Sequence, residues 1–498
     1  MPETPPQQES DLPNFYPSQP SHQNPWAVWL NSQRRRLSQT APALFHTETR
    51  AEIERDYDRV LFSTPVRRLA DKTQVFPLDR SDSVRNRLTH SHEVANLARS
   101  VGLDLVFNRG LATGLPQALR DVPALLATIG LAHDLGNPPF GHQGEEAIGH
   151  WFALNRADVF GDAPELTEAM RQDFLRFEGN AQTLRLLTKL QLINDDYGLN
   201  LTVATLAALI KYPVGSDAID KTFVARKKHG FFQSERMLVA DVQARCGLVS
   251  WQRHPLTWIL EACDDIAYSV LDAEDAVKKG LLSFSDIIAF LRHAAGDDPV
   301  VAQVCEAAQS EHRRYRQAGL SPAELNDISM QTFRIRAIGA LMQAIADTFL
   351  AHTPAITRGE FNQELITASP ARALLHALKE CNWQHVYRHK SVLKVELTGF
   401  AVIHGLMDAF WYAITDRVDP LDPASSRRTP LASYLYQLIS ENYRRVFESP
   451  HNPMPLRYRE AQLLTDMLSG MTDSFAVRSW QQIQEAGFRS HMKQGVSA

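Results

Sequence analysis

The sequence predicts an all-α protein, and three features carry that expectation. From about Trp26 onward, apolar residues recur at three- and four-residue spacing over long windows, the period of amphipathic helices. Alternating runs of strand type are scarce. Gly and Pro are sparse within the periodic windows and gather instead at Gly136-Asn137-Pro138-Pro139, Tyr212-Pro213, Gly296-Asp297-Asp298-Pro299 and Asp419-Pro420-Leu421-Asp422-Pro423, where they punctuate helices.

The arm ahead of these windows has a different character. Seven of the 27 prolines fall between Pro2 and Pro25, among Gln, Ser and Asn, with no basic-then-apolar leader pattern, so residues 1–30 are expected to be a disordered proline-rich arm. Residues 31–300 are expected to form the catalytic core. Residues 301–498 are expected to be a helical region that contributes to the pocket and to oligomer contacts. The stretch from Thr415 to Pro430 reads as a long surface loop. No repeat of roughly 20–50 residues is present.

Composition sets outer limits. The chain has 498 residues, with 52 Lys plus Arg against 57 Asp plus Glu and a net charge of −5, which excludes a strongly basic nucleic-acid coat. With 44% hydrophobic and 22% charged residues it is neither wholly disordered nor collagen-like. Cys246, Cys263, Cys305 and Cys381 stand far apart without a Cys-x-x-Cys pair, so no zinc ribbon or dense disulfide framework is available. The longest nearly apolar stretch, Val122 to Ala132, is shorter than the about 18 residues a membrane helix needs. A soluble, cytoplasmic protein with no membrane partner is expected. The basic clusters at Arg34-Arg35-Arg36 and Arg427-Arg428 read as solvated surface.

The chemistry begins where the apolar helix through Leu125 to Ala132 runs into His133-Asp134. Leu126, Ile129 and His133 share one face, so the imidazole is expected to point inward beside a carboxylate. Alone, the pair reads more simply as a core histidine satisfied by its neighbour than as two adjacent metal ligands. Other residues shift that balance. In Arg87-Leu88-Thr89-His90-Ser91-His92, His90 shares its stripe with Val94, Leu97 and Val101, whereas His92 lies with Asn96 and Arg99, so His90 is the inward one. Arg87 lies on the same face as His90, where a permanent cation suits a phosphate. In the helix from Trp258 to Asp272, Asp264 lies with Leu260, Ala267 and Leu271 and is expected to be more inward than Asp265. Together His90, His133, Asp134 and Asp264 offer two nitrogens and two carboxylates to one divalent ion. Downstream, His142 and Glu145 are three residues apart on a new helix, as a general acid and its orienter, or as a simple surface pair.

Taken in order, the segments Arg67-Arg68-Leu69 with Lys72-Thr73-Gln74-Val75, Arg87 to Ser91, His133-Asp134-Leu135-Gly136-Asn137-Pro138-Pro139-Phe140-Gly141-His142, Phe177-Glu178-Gly179-Asn180-Ala181-Gln182, Lys211-Tyr212-Pro213 and Ala262 to Tyr268 resemble the deoxyguanosine triphosphate triphosphohydrolases (dGTPases) of the HD-domain superfamily. Strong signatures span about Asp58 to Gly280, and Glu396 to Ile403 looks like a family segment near the substrate pocket. The resemblance implies hydrolysis of dGTP, or of other deoxynucleoside triphosphates, to the deoxynucleoside and triphosphate. It implies Mg²⁺ or Mn²⁺ on His90, His133, Asp134 and Asp264, and acid catalysis by His142 with Glu145. By the same resemblance Arg87, Asn180, Lys211 and Tyr212 would hold the triphosphate, Gln74 and Asp272 the sugar hydroxyl, Tyr268 a wall against a 2′-hydroxyl, and Glu396 a further substrate contact. The family also suggests a homo-oligomer, expected as a hexamer, and a single-stranded DNA or nucleotide effector. Arg444-Arg445 and Arg457 with Arg459 are candidates to line an oligomer groove.

Two rivals share these residues. Another HD phosphohydrolase, such as a cyclic di-nucleotide phosphodiesterase, would carry a second His-His pair and a Gly-Tyr-Pro element where Asn137-Pro138-Pro139-Phe140 stands. A silent nucleotide or nucleic-acid sensor has no need of His142 and Glu145.

Overall fold

Helix follows helix along the chain, and the described residues contain no strand, only three isolated bridges. The computed structural model describes residues 24–36, 49–76, 83–161, 163–191 and 197–488. Residues 1–23 of the expected arm lie outside the described residues, but residues 24–30 do not fit that expectation. Trp26–Trp29 is a single helical turn whose two indoles pack edge to face at 5.2 Å and are buried. Two large aromatic surfaces removed from water outweigh the local preference for disorder.

The elements that position the site are α1 (Glu52–Leu61), α2 (Arg87–Leu103), α3 (Ala118–Ala132), α4 (Gly141–Leu154), α5 (Gly179–Arg185), α6 (Val203–Leu209), α7 (Pro255–Lys278), α8 (Pro322–Thr357), α9 (Arg372–Asn382), α10 (Lys390–Thr415), α11 (Leu456–Ser469) and α12 (Asp473–Glu485). Antiparallel α2 and α3 form the central pair, with α1 on α3 and α7 across α2. Helix α3 is apolar on nearly every side, and Val122, Leu125, Leu126, Ile129 and Leu131 are sealed from solvent, as befits a helix surrounded by others. Helix α7 begins with Pro255 behind a His254 cap whose side chain accepts from Leu256 N at 3.2 Å, a start that suits proline's missing N–H.

The C-terminal region packs on the central helices through α8, which lies against α7 and α2, and on α4 through α10, which also lies against α11 and α12. Helix α10 is the one described helix long and apolar enough to cross a membrane, yet 56% of its apolar window is buried inside the protein. One main apolar cluster runs from Trp26 to Phe488 and draws on both halves of the chain.

The loop expected between Thr415 and Pro430 is present; Arg428 in it is exposed, as expected, but Arg427 corrects the reading of solvated charge. Arg427 is buried and lies over the Tyr436 ring at 3.4 Å. Arg34 likewise turns inward, to Glu52 at 2.6 Å and Asp56 at 2.7 Å. Arg457 pairs with Glu460 at 2.9 Å, and Arg459 donates to the Ser449 carbonyl at 3.0 Å, so these two serve internal contacts.

Candidate active site

Helix α2 starts where Asn86 accepts from Thr89 N at 3.0 Å while Thr89 Oγ1 receives the Asn86 N–H, a reciprocal cap that sets the helical phase. That phase buries His90 at 2% exposure and leaves His92 exposed. Helix α3 delivers His133 at its C-terminal end. His133 Nδ1 lies 2.7 Å from the Gly130 carbonyl oxygen. A carbonyl only accepts, so the proton of the neutral ring sits on Nδ1 and Nε2 presents its lone pair.

Four side chains converge there. His90 Nε2 is 3.2 Å from Asp264 Oδ1, and His133 Nε2 is 3.5 Å from both Asp264 Oδ1 and Asp134 Oδ1. Ligand atoms of His90, His133 and Asp134 lie within 4.8 Å of one another. His133 Nε2 is buried without a hydrogen-bond partner among the described residues. An orphaned lone pair aimed at two carboxylates is a costly arrangement, and a divalent cation resolves it, so the donor set fits such an ion. The same two carboxylates favour positive charge at this position, which a proton on Nε2 or a cation can supply. Burial opposes the charged His133 imidazole, but Asp134 and Asp264 push it up to about 9. Burial likewise opposes ionisation of Asp264, yet His133, His90 and Lys211 hold it well below the usual carboxylate range.

The surroundings of this cluster divide into two parts. Arg87 is buried and bonds the outer oxygen of Asp134, while Asn137 Nδ2 donates to Asp134 Oδ1 at 2.6 Å. Arg87 is therefore engaged with Asp134 rather than standing free in the cleft. On the other side, Asn180, Thr183, Lys211, Leu260 and Glu261 line a narrow cleft with His133 and Asp264. Lys211 Nζ lies 3.7 Å from Asp264 and 3.8 Å from Glu261. Burial opposes its charge, but its acidic neighbours raise its pKa above the ordinary value. Tyr212 is buried beside it, with its ring centre 6.0 Å from Lys211 Nζ.

His142 stands in an adjoining cleft at the start of α4, largely exposed. Its Nδ1 is 2.9 Å from Glu145 Oε2 and its Nε2 is 3.4 Å from Glu146. The other Glu145 oxygen accepts from Gly179 N at 2.7 Å, which fixes the carboxylate. The hydrogen bond to Glu145 raises the His142 pKa despite partial burial. Glu178, Lys228 and Phe400 complete this cleft. The two clefts meet at Gly179-Asn180, since Gly179 holds Glu145 and Asn180 lines the cleft beside His133. Glu396, half-buried on α10, feels both Glu146 and His142, and its pKa is raised by burial and by Glu146.

Along α7, Asp264, Tyr268 and Asp272 recur at four-residue spacing and share one face, a row about 12 Å long. Burial pushes Asp272 up to about 8 even though Tyr387 donates to it at 2.6 Å. Tyr268 donates to Asp265 at 2.8 Å under Lys379. Gln74 Oε1 is buried with no partner among the described residues. One orientation differs from expectation. Asp265 is the more buried acid, because Lys379 at 3.1 Å and Tyr268 satisfy it, while Asp264 keeps 18% side-chain exposure at the cleft. Asp264 nevertheless is the acid that faces the histidines. Tyr387, Lys228 and Lys379 escaped the sequence reading. They stand outside any motif and reach the site only through tertiary packing.

Comparison with known proteins agrees with this architecture. The HD domain family model matches residues 87–178, from Arg87 through the segment before Gly179. A deoxyguanosinetriphosphate triphosphohydrolase-like protein of Listeria monocytogenes is 38% identical over 471 residues, covering 92% of this chain and 99% of the relative. Proteins of the same description from Synechocystis and Pseudomonas aeruginosa are each 34% identical, covering 88% and 86% of this chain and 95% and 92% of the relatives. The chain thus belongs to the deoxyguanosinetriphosphate triphosphohydrolase-like family of HD-domain phosphohydrolases.

Proposed function

We propose that the protein hydrolyses deoxynucleoside triphosphates, dGTP foremost, to the deoxynucleoside and inorganic triphosphate, with Mg²⁺ or Mn²⁺ on His90, His133, Asp134 and Asp264. The observation that carries this reading is the Glu145-oriented imidazole of His142 in the cleft adjoining a two-His, two-Asp cluster, joined to it through Gly179-Asn180. When bound, the divalent ion supplies Lewis acidity at a phosphoryl oxygen and lowers the pKa of water.

The chain's own groups do the rest. Lys211 and Asn180 face the phosphate side of the cleft beside the cluster, and Arg87 holds Asp134 in place. Tyr212 backs Lys211. His142, kept protonated by Glu145, delivers a proton to the departing 5′-oxygen. That matters because an alkoxide is a poor leaving group, and general acid help is worth roughly 10²- to 10⁴-fold. The α7 row extends from the cluster toward the sugar, where Asp272 and Gln74 offer polar atoms to a 3′-hydroxyl and Tyr268 blocks a 2′-hydroxyl. Glu396, across from His142, takes the base side. Residues 31–300 supply this chemistry, and residues 301–498 close it through α10.

The test is to incubate the protein with each deoxynucleoside triphosphate and with GTP, in Mg²⁺ or Mn²⁺, and resolve the nucleoside products by chromatography. Deoxyguanosine appearing from dGTP well ahead of guanosine from GTP is the expected result. Formation of nucleoside mono- or diphosphates would contradict the reading.

A further inference from the structure

The turn that presents His142 is held by distant residues, among them Asp473, 333 positions from Phe140. Phe140 is a non-glycine residue in the left-handed region, φ 64° and ψ 15°, and Gly141 follows with φ 60°. Such a conformation persists only where surrounding contacts over-determine it. Those contacts come from the start of α12. Asp473 Oδ1 accepts from Phe140 N at 2.9 Å, and Asp473 Oδ2 accepts from Thr73 N at 3.0 Å and from the Thr73 hydroxyl. Beside it, Lys72 Nζ donates to the carbonyls of Asn137 at 2.5 Å and Ser469 at 2.7 Å. Asp473 and Lys72 are 2% and 3% exposed. Gly399 of α10 abuts the Phe140 ring, since a Cβ on it would fall 2.5 Å from the ring.

Two facts about this arrangement go beyond packing. Asp473 touches Thr73, one residue before Gln74, and Phe140, two residues before His142, so one carboxylate spans the two strands of backbone that carry a sugar-side and an acid-side group. A carboxylate accepts at both oxygens and so can meet both backbone N–H groups and the hydroxyl at once; burial pushes its pKa up, and these hydrogen bonds and Lys72 oppose that rise. We infer that Asp473 is a positioning residue that sets the placement of His142 relative to Gln74, making the C-terminal helix α12 part of the working site. This rests on the reaction proposed above only for its kinetic readout.

The experiment compares the full-length protein with Asp473→Asn, which keeps the volume but meets one donor with an NH₂ group, and with Asp473→Ala. The readouts are kcat and KM for dGTP, Mn²⁺ stoichiometry, and hydrogen–deuterium exchange by mass spectrometry. A misplacement of a catalytic group by about 1 Å costs about 10²-fold in rate, so Asp473→Ala is expected to lower kcat about 100-fold and Asp473→Asn about tenfold. Mn²⁺ stoichiometry should stay near wild type, and any rise in KM, through Gln74, should be smaller than the fall in kcat. Exchange should rise in the peptide covering residues 136–146 and stay unchanged over residues 87–103. Unchanged kcat with unchanged exchange at residues 136–146 would overturn the inference, as would exchange rising equally along the whole chain. If the wild type turns over no nucleotide, the proposed reaction fails and the exchange pattern alone decides the role of Asp473 in holding the turn.

Discussion

Gly130 of α3 faces Ala95 of α2 so closely that a Cβ on the glycine would lie 2.6 Å from the Ala95 Cα and 2.9 Å from its nitrogen. Both obstructing atoms are backbone, so neither can turn aside. The crossing sets the separation of the helices that carry His90 and His133, and the Gly130 carbonyl fixes the His133 ring. Ala is the better helix former by about 1 kcal/mol, but forcing packed helices apart costs about 1–3 kcal/mol. Gly130→Ala is therefore expected to lower stability in urea titrations and to weaken Mn²⁺ binding. A more stable variant with unchanged Mn²⁺ affinity would show that the crossing does not govern the site.

The cluster itself is tested by removing its members. His133→Ala, His90→Ala and Asp264→Ala should each lose Mn²⁺ in equilibrium dialysis and lose turnover together. His92→Ala, altering an exposed side chain on the opposite face, should keep both within about twofold, as surface changes usually do. Metal loss in His92→Ala and not in His90→Ala would reverse the assignment.

His142 and Glu145 should separate chemistry from metal binding. His142→Ala is expected to retain Mn²⁺ and lose roughly 10²- to 10⁴-fold in kcat. Glu145→Gln removes the acceptor that favours the imidazolium, so the His142 pKa falls and the alkaline limb of kcat moves to lower pH. A pH–rate profile with the limb unmoved would exclude His142 as the group that must be protonated.

Asp121 supplies a stability signal far from the chemistry. Burial first, and Glu54 second, push its carboxyl up to about 6 from 3.8, so the folded state binds its proton more tightly than the unfolded chain. The resulting stability is fully present below pH 3.8 and is lost as pH rises through about 6. Asp121→Asn does not titrate and should therefore be more stable than wild type at pH 7.5, by about 1–3 kcal/mol. The gain should shrink toward zero near pH 4. Equal gains at both pH values in urea denaturation would argue against a buried, ionised Asp121.

Much of the site was legible because helices turn local spacing into a common face. The stripe of His90 with Val94 and Val101 and the apolar run ending at His133 needed only a 3.6-residue period. The same logic misjudged Asp264 against Asp265, because burial there depends on Lys379, which α9 brings in from outside the period. Tyr387 on Asp272 and Asp473 on Phe140 are long-range contacts with no local pattern to announce them. Arg34 and Arg427 misled for the related reason that an arginine's reach hides its partners from any window of sequence. Trp26 and Trp29, placed in the expected arm, show that composition averaged over 30 residues conceals a short anchored end.

The proposed reaction cuts between the 5′-oxygen and the α-phosphorus, with His142 serving the oxygen. The most direct measurement is ³¹P NMR of dGTP hydrolysis in H₂¹⁸O with Mn²⁺ removed before acquisition, together with mass spectrometry of the nucleoside. Inorganic triphosphate is expected as the sole phosphorus product, carrying one ¹⁸O, with unlabelled deoxyguanosine. Orthophosphate or pyrophosphate, or ¹⁸O in the deoxyguanosine, would contradict it.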